Sequence, residues 1–297
     1  MKRSLWSLSL IALMVGCSQT PAPAPEIDQE ALSFQTAVWT YADLVTQSKA
    51  RSAFYTFASS HPIKTIYLEA EDHLNNRPAA LAGFVQDARS RKFNVELLTG
   101  HPHWALPEFQ NQGVQFAQKV VQLANQYPQA QGIGLHLDVE PYLLPEWQNN
   151  PQQVANGLLD LFAQVKNTLQ SQPLAVDIPC WFDEIQVLRN GQTRPLSEWI
   201  IDVADLTVLM DYRDTVQGIV NSGYSEIEYA SKVGKKVVLG VNTKNERGLS
   251  PASTTFYEEG WRYMESTLNT VNQTLQPKSG YGGLAIFTYE DYKLLKK

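Results

Sequence analysis

The sequence predicts a single (β/α)8 barrel over residues 33–297. Eight short apolar runs rich in β-branched and aromatic residues alternate with longer segments in which apolar residues recur at helical spacing. Eight strand–helix repeats are the number that closes such a barrel. An open doubly wound sheet is the competing architecture, but no glycine-rich nucleotide-binding turn follows the first strand.

The first 32 residues are predicted to be processed and to anchor the protein. A basic start and the apolar run 5–15 form an export signal too short to span a membrane. Its end resembles a bacterial lipobox, which predicts a signal peptide over 1–16 and a lipid on Cys17. An ordinary signal peptide is the alternative. Residues 17–32 form a Pro/Ala-rich tether. We therefore expect a lipoprotein of the bacterial cell envelope, held at the membrane (the outer membrane, if the organism has one) by its lipid.

The eight predicted strands share apolar, β-branched or aromatic residues and are bounded by polar segments or turn residues. In chain order they are TAVWTY (36–41), KTIYLEA (64–70), FNVELLTG (93–100), GIGLHLDVE (132–140), LAVDIPCW (174–181), LTVLMDY (206–212), KVVLGVN (236–242) and GLAIFTY (283–289). The intervening segments, such as 114–127 and 154–169, carry apolar residues every three or four positions, as amphipathic helices do.

The fourth predicted strand carries ionisable residues at every second position. His136, Asp138 and Glu140 therefore share one face, because successive side chains of a strand point to opposite sides. The other face is apolar throughout. Burying two carboxyls and an imidazole costs free energy unless the groups are paired with one another or take part in binding or catalysis. This face is the predicted functional site.

Functional residues of a barrel lie at the carboxyl ends of its strands and in the loops that follow. Aromatic side chains there can stack on sugar rings, and polar ones can bind sugar hydroxyls. A carbohydrate ligand is therefore predicted. The candidate substrate-binding residues are Trp39, Tyr41, His101, His103, Trp104, His136, Tyr142, Trp181, Asp211, Arg213, Asn242, Tyr289 and Glu290.

Two of these strand ends resemble motifs of the chitinase-like family 18 glycoside hydrolases. GLHLDVEPY resembles the family's Asp-x-x-Asp-x-Asp-x-Glu signature, with Asp138 and Glu140 on its last two acidic positions. LMDYRD resembles the family motif Met-x-Tyr-Asp, with Met210 and Tyr212 matching. The resemblance implies a barrel that hydrolyses glycosidic bonds.

Within that resemblance, Glu140 is the expected general acid, helped to keep its proton by the like charge of Asp138. Asp138 would orient the 2-acetamido group that acts as nucleophile in the family, and Tyr212 would bind its carbonyl. His136 stands where the family has Asp and is expected to partner Asp138 as a neutral donor. Arg213 also replaces an Asp, and GGLAIFTY resembles the eighth strand with Phe287 in place of tryptophan.

Alternative functions remain open from the residues alone. Glu140 could serve a two-carboxylate glycosidase with Asp183, Asp211 or Glu290 opposite it. The barrel could instead bind glycans without cutting them, as lectin-like relatives of chitinases do.

Other site chemistries are disfavoured. A zinc site built from His101, His103, His136 and Asp138 is a minor alternative, so neither metal nor cofactor is expected. Cys180, in an apolar strand, is expected to be an inert thiol. Asp183, Asp211 and Asp214 could simply pair with Arg213. The formal net charge of −6 and the lack of a basic run argue against nucleic acid as a partner.

Overall fold

A computed structural model describes residues 34–246, 248 and 251–296. The predicted signal peptide, Cys17 and the tether lie outside these residues. The barrel strands are β1 (Thr36–Thr40), β2 (Ile63–Glu69), β3 (Asn94–Thr99), β4 (Gly134–Asp138), β5 (Leu174–Pro179), β8 (Leu206–Met210), β9 (Val237–Asn242) and β10 (Tyr281–Phe287). A separate hairpin consists of β6 (Gln186–Arg189) and β7 (Gln192–Pro195).

Within the described part of the chain, eight parallel strands form a closed barrel in the order β1-β10-β9-β8-β5-β4-β3-β2. Closure depends on β1, which pairs in parallel with β2 on one side and with β10 on the other. The predicted (β/α)8 barrel is confirmed, and the open doubly wound sheet is wrong.

The helices surround the barrel. They are α1 (Ser48–Ala58), α2 (Glu71–Asn76), α3 (Pro78–Ser90), α4 (Gln110–Gln126), α5 (Pro145–Asn149), α6 (Pro151–Leu169), α7 (Leu196–Val203), α8 (Val216–Ser222), α9 (Tyr224–Val233), α10 (Trp261–Leu275) and α11 (Tyr289–Tyr292). In α4, Phe116, Val120 and Leu123 recur at helical spacing and are buried. Helix α6 begins after Asn150, whose side chain accepts a hydrogen bond from the Gln153 amide. No helix among the described residues is long and apolar enough to cross a membrane.

The hairpin β6–β7 is an insertion between β5 and α7 that the sequence analysis did not predict. Its turn residues Asn190 and Gly191 have φ angles of 54° and 74°. Both angles lie in the left-handed region that a two-residue hairpin turn of type I′ requires, and Asn-Gly is the pair that adopts it most readily.

The apolar core is divided between the two sides of the barrel wall. The larger cluster lies between the strands and the helices, whereas a smaller one fills the barrel interior. The inner cluster consists of Ala37, Trp39, Tyr67, Leu98, Val208, Val238 and Ala285. Gly240 makes room for this packing, because a Cβ at that position would lie 2.8 Å from Trp39 Cη2.

Candidate active site at the carboxyl ends of the strands

Strand β4 places its apolar and its ionisable residues on opposite faces, as the alternation of the two in the sequence predicts. Leu135 and Leu137 are fully buried in the cluster between strands and helices. His136 lies inside the barrel, where its ring contacts Tyr67 and Trp39. Glu140 follows the strand and precedes the short 3-10 turn Pro141–Leu143. The ionisable face of β4 thus faces the barrel interior, and Glu140 lies at the carboxyl end of that face, at the mouth of the barrel.

Asp138 lies opposite a second carboxyl that the sequence analysis did not include. In the parallel register of β4 and β5, Asp138 is the partner of Asp177. Burial, then the charges of Asp177 and Glu140, raise the pKa of Asp138 well above its ordinary value, against an opposing contribution from His136. Asp138 Oδ1 is buried without a hydrogen-bond partner. Asp138 is therefore harder to ionise than an ordinary aspartate, and Glu140 follows it by two residues at the same strand end.

An aromatic wall stands beside Glu140. The Tyr142 hydroxyl donates a hydrogen bond to Glu140 Oε1. The Tyr142 ring makes an edge contact with Trp181 at 5.2 Å between centroids, and Trp147 stacks on Phe182 at 5.8 Å. These rings come from the loops after β4 and β5. The partly exposed rings of Tyr142, Trp147 and Trp181 line this side of the barrel mouth, here called the cleft, and Phe182 is fully buried behind them.

A second group of aromatic side chains closes the opposite side of the mouth. The ring of Phe287, at the end of β10, lies 5.9 Å from Trp39, 6.4 Å from Tyr41 and 5.9 Å from Tyr212. Burial, then the charges of Asp177, Asp138 and Glu140, raise the pKa of Tyr212 well above its ordinary value. Tyr212 thus presents a neutral phenol near the Asp138 and Glu140 carboxyls. Tyr41 is half exposed at the rim.

Glu290 and Asn242 also lie at the strand ends, but Glu290 has a structural task. Its Oε1 accepts hydrogen bonds from the Thr40 hydroxyl at 2.7 Å and from the Tyr41 and Ala42 amides at 3.2 and 2.8 Å. Asn242 is fully buried on the inward register of β9, and its Nδ2 has no hydrogen-bond partner. A buried amide donor without a partner is available to a ligand oxygen.

His136 is held differently from the expectation of a neutral donor to Asp138. Its Nδ1 is 2.8 Å from Glu96 Oε2, and its Nε2 is 2.8 Å from Asp177 Oδ1. Both ring nitrogens are therefore engaged by carboxyls of neighbouring strands. The sequence signal for Glu96 and Asp177 was present, since each is a lone acid inside an apolar strand.

A close approach of two strand ends brings the β4 residues into place. A Cβ at Gly100, just after β3, would lie 1.7 Å from the Asp138 carbonyl oxygen. Only glycine fits there, so the loop after β3 can cross directly over the end of β4.

Several of the predicted substrate-binding residues are buried in the protein and do not face the cleft. Trp104 is buried, and its Nε1 donates to Gln112 on α4 at 3.0 Å. Tyr289 is buried against Phe54 of α1, with ring centroids 5.0 Å apart. Asp211 is fully buried, and its pKa is raised to about 7 by that burial. None of these three side chains lines the cleft surface.

The remaining candidates lie at the outer rim. His101 and His103 are exposed in the loop after β3, with ring centroids 5.0 Å apart. Arg213 is exposed, and its charge opposes the rise in pKa that burial causes at Asp211 and Asp214. Cys180 is a free thiol whose pKa is raised by burial. Within the described residues, no group of three or more His, Cys, Asp or Glu side chains is arranged to hold a metal ion.

Comparison with known proteins gives matches at the level of structure. No family model matches the sequence, and curated proteins give no significant sequence match. A GH18 chitinase from Pseudoalteromonas aurantia matches with a TM-score of 0.53 and 13% identity over 86% of this chain and 94% of that chain. An exo-beta-1,4-mannosidase from Opitutaceae bacterium strain TAV5 matches with a TM-score of 0.52 and 9% identity, over 86% of this chain and 51% of that chain.

At such low identity these matches show the fold and no more. They confirm the remote resemblance that the motifs of the fourth and sixth barrel strands predict. The chain has a barrel similar to those of the family 18 chitinases and related glycoside hydrolases.

Proposed function

We propose that this protein hydrolyses glycosidic bonds of a polysaccharide or glycan, with Glu140 as the general acid. The observation that carries the proposal is the geometry at the carboxyl end of β4, where Glu140 follows Asp138 by two residues and accepts a hydrogen bond from the Tyr142 hydroxyl. A glycosidic oxygen must receive a proton as its bond breaks, and a carboxylic acid placed beside it can supply that proton. The aromatic walls on both sides offer stacking surfaces for sugar rings.

Asp138 and Tyr212 have roles that follow from their positions. With a substrate that carries a 2-acetamido group, Asp138 orients that group for attack on the anomeric carbon, and the Tyr212 phenol donates to its carbonyl oxygen. Burial raises the pKa of both side chains well above their ordinary values, which favours the protonated forms that donate these hydrogen bonds. The matching family motifs support the same assignment.

Cleavage of glycans by the full-length chain tests the proposal, with Glu140→Gln as the diagnostic variant. Glutamine keeps the size of the side chain but delivers no proton. We expect hydrolysis to fall at least about 100-fold while glycan binding persists. Glu146→Gln is the matched control, since the same change six residues away affects an exposed side chain of α5. Binding without cleavage by the unaltered protein and by Glu140→Gln alike would instead establish a glycan-binding barrel.

We further propose that the protein acts at the bacterial cell envelope, anchored by a lipid on Cys17. The apolar run 5–15 that ends at Gly16–Cys17 supports this location. Cell fractionation tests it directly, and the expected result is given with the other predictions below.

A further inference from the structure

The barrel interior contains a continuous chain of polar side chains below the proposed catalytic pair. It begins with Glu96 on β3, passes through His136 on β4 and Asp177 on β5, and ends at Trp39 on β1. The distances are 2.8 Å from Glu96 to His136, 2.8 Å from His136 to Asp177, and 3.0 Å from Trp39 Nε1 to Asp177 Oδ2. Four strands are thereby connected across the barrel by side chains alone.

We propose that His136, clamped between Glu96 and Asp177, is a positioning residue of the catalytic centre. His136 Nε2 is hydrogen-bonded to Asp177 Oδ1, and the Trp39 indole N–H donates to Asp177 Oδ2. Both oxygens of Asp177 are thereby fixed, directly opposite Asp138 in the register of β4 and β5. The inference rests on the proposed hydrolytic function, because it explains how the neighbour of Asp138 is kept in place.

The carboxyls on both sides of the buried imidazole favour its charged form. His136, Asp177 and Trp39 are at most 2% exposed. Glu96 on β3 and Asp177 on β5 would repel each other as carboxylates, and a cation between them offsets that cost. Burial opposes the charge on His136, but the Asp177 carboxylate and then Glu96 outweigh it and raise its pKa to about 10.

The groups around His136 leave no competing partner for its ring nitrogens. Besides Glu96 and Asp177, the titratable groups that face it are Asp138 on its own strand and the Tyr67 phenol on β2. Burial raises the pKa of Asp138, and burial together with the charges of Glu96 and Asp177 keeps Tyr67 neutral by raising its pKa. The imidazolium is therefore balanced by Glu96 and Asp177.

Glu96 connects this clamp with the opposite end of the barrel. It lines a polar cavity of about 170 Å³ at the amino-terminal ends of the strands, together with Lys64 and Asn94. Gly134 makes room for it, since a Cβ at that position would lie 3.2 Å from Glu96 Cγ. Because Glu96 is partly exposed and does not touch Asp138 or Glu140, it can be altered without touching the catalytic pair.

The test combines nuclear magnetic resonance with kinetics on the full-length chain. In the unaltered protein, both ring nitrogens of His136 should remain protonated from pH 6 to 8.5, and the Trp39 indole proton should exchange slowly. Glu96→Gln should make the His136 ring titrate within that range and speed the exchange at Trp39. Glu228→Gln, which removes a carboxylate from the outer face of α9, should change neither signal.

The kinetic arm separates positioning from a merely structural role. Glu96→Gln should lower kcat about 10- to 100-fold, as loss of an outer partner does at metal-binding histidines, and leave KM nearly unchanged. The alkaline limb of kcat should move to lower pH, because His136 loses its charge earlier.

The outcomes distinguish this inference from the proposed function. A neutral His136 ring at pH 7.5 in the unaltered protein overturns the clamp, and this measurement needs no variant to fold. Glu140-dependent hydrolysis with unchanged kcat and unchanged His136 and Trp39 signals in Glu96→Gln also overturns it, while the function stands. If no glycan is cut but the signals behave as expected, the charged clamp on Asp177 stands, whereas its role in catalysis fails together with the hydrolytic function.

Discussion

Replacing Glu226 by glutamine should stabilise the fold at alkaline pH and leave it unchanged at acidic pH. Glu226 lies on α9 and is only 1% exposed. Burial, then the charge of Asp183 and to a lesser extent that of Asp211, raise its pKa from 4.5 to about 8. The folded state therefore holds a proton that the unfolded chain releases, so the free energy of unfolding falls as the pH rises from 4.5 to 8.

The magnitude follows from that interval. Each pH unit costs about 1.4 kcal/mol, which gives a loss on the order of 5 kcal/mol by pH 9. Glutamine keeps the shape of the side chain and does not ionise, so Glu226→Gln should exceed the unaltered protein by that amount at pH 9, and by at most about 1 kcal/mol at pH 5. Urea unfolding followed by tryptophan fluorescence at both pH values measures the difference.

The control for this experiment is Glu228→Gln on the same helix. Glu228 forms a partly exposed ion pair with Lys278 at 2.7 Å. Its loss should cost at most about 1 kcal/mol. A Glu226→Gln variant whose stability follows the unaltered protein at both pH values would refute the argument that burial of this carboxyl causes the pH dependence.

Four further outcomes are expected. Asp138→Asn should slow hydrolysis and shift its pH profile, because the carboxyl beside Glu140 has been removed; identical profiles would contradict the assignment. Tyr212→Phe should reduce kcat/KM mainly for substrates that carry an acetamido group, as a comparison with plain glucans measures. Gly240→Ala should lower the free energy of unfolding by about 1–3 kcal/mol, because its Cβ would meet Trp39 at 2.8 Å. Cys17→Ala should move the protein from the membrane to the soluble fraction; continued membrane association would contradict a lipid anchor.

The fold could be predicted from sequence because strand and helix periodicities are local. All eight barrel strands lie within two residues of the predicted starts, and periodicity marks each without knowledge of its partners. The hairpin β6–β7 was missed because its residues are mostly polar, although Asn190–Gly191 carries a recognised turn signal.

The site was predictable in part. The alternation in β4 indicated Asp138 and Glu140, whereas Glu96 and Asp177 become partners of His136 only when the barrel closes. Position after a strand fixes the end of the barrel at which a residue lies, but not the direction of its side chain. This is why Trp104 and Tyr289 were expected at the cleft and instead pack against helices.

The hydrogen bonds of Glu290 have a consequence for the order in which the two ends of the barrel come together. Glu290 Oε1 joins the loop after β1 to the segment after β10, and its bond to Thr40 spans 250 residues of chain. Closing so long a loop is entropically unfavourable, so this junction forms late in folding. A protease cut that releases the segment after β10 would free the Tyr41 and Ala42 amides from Glu290. Under the proposed function, such a cut should lower hydrolysis without touching Glu140.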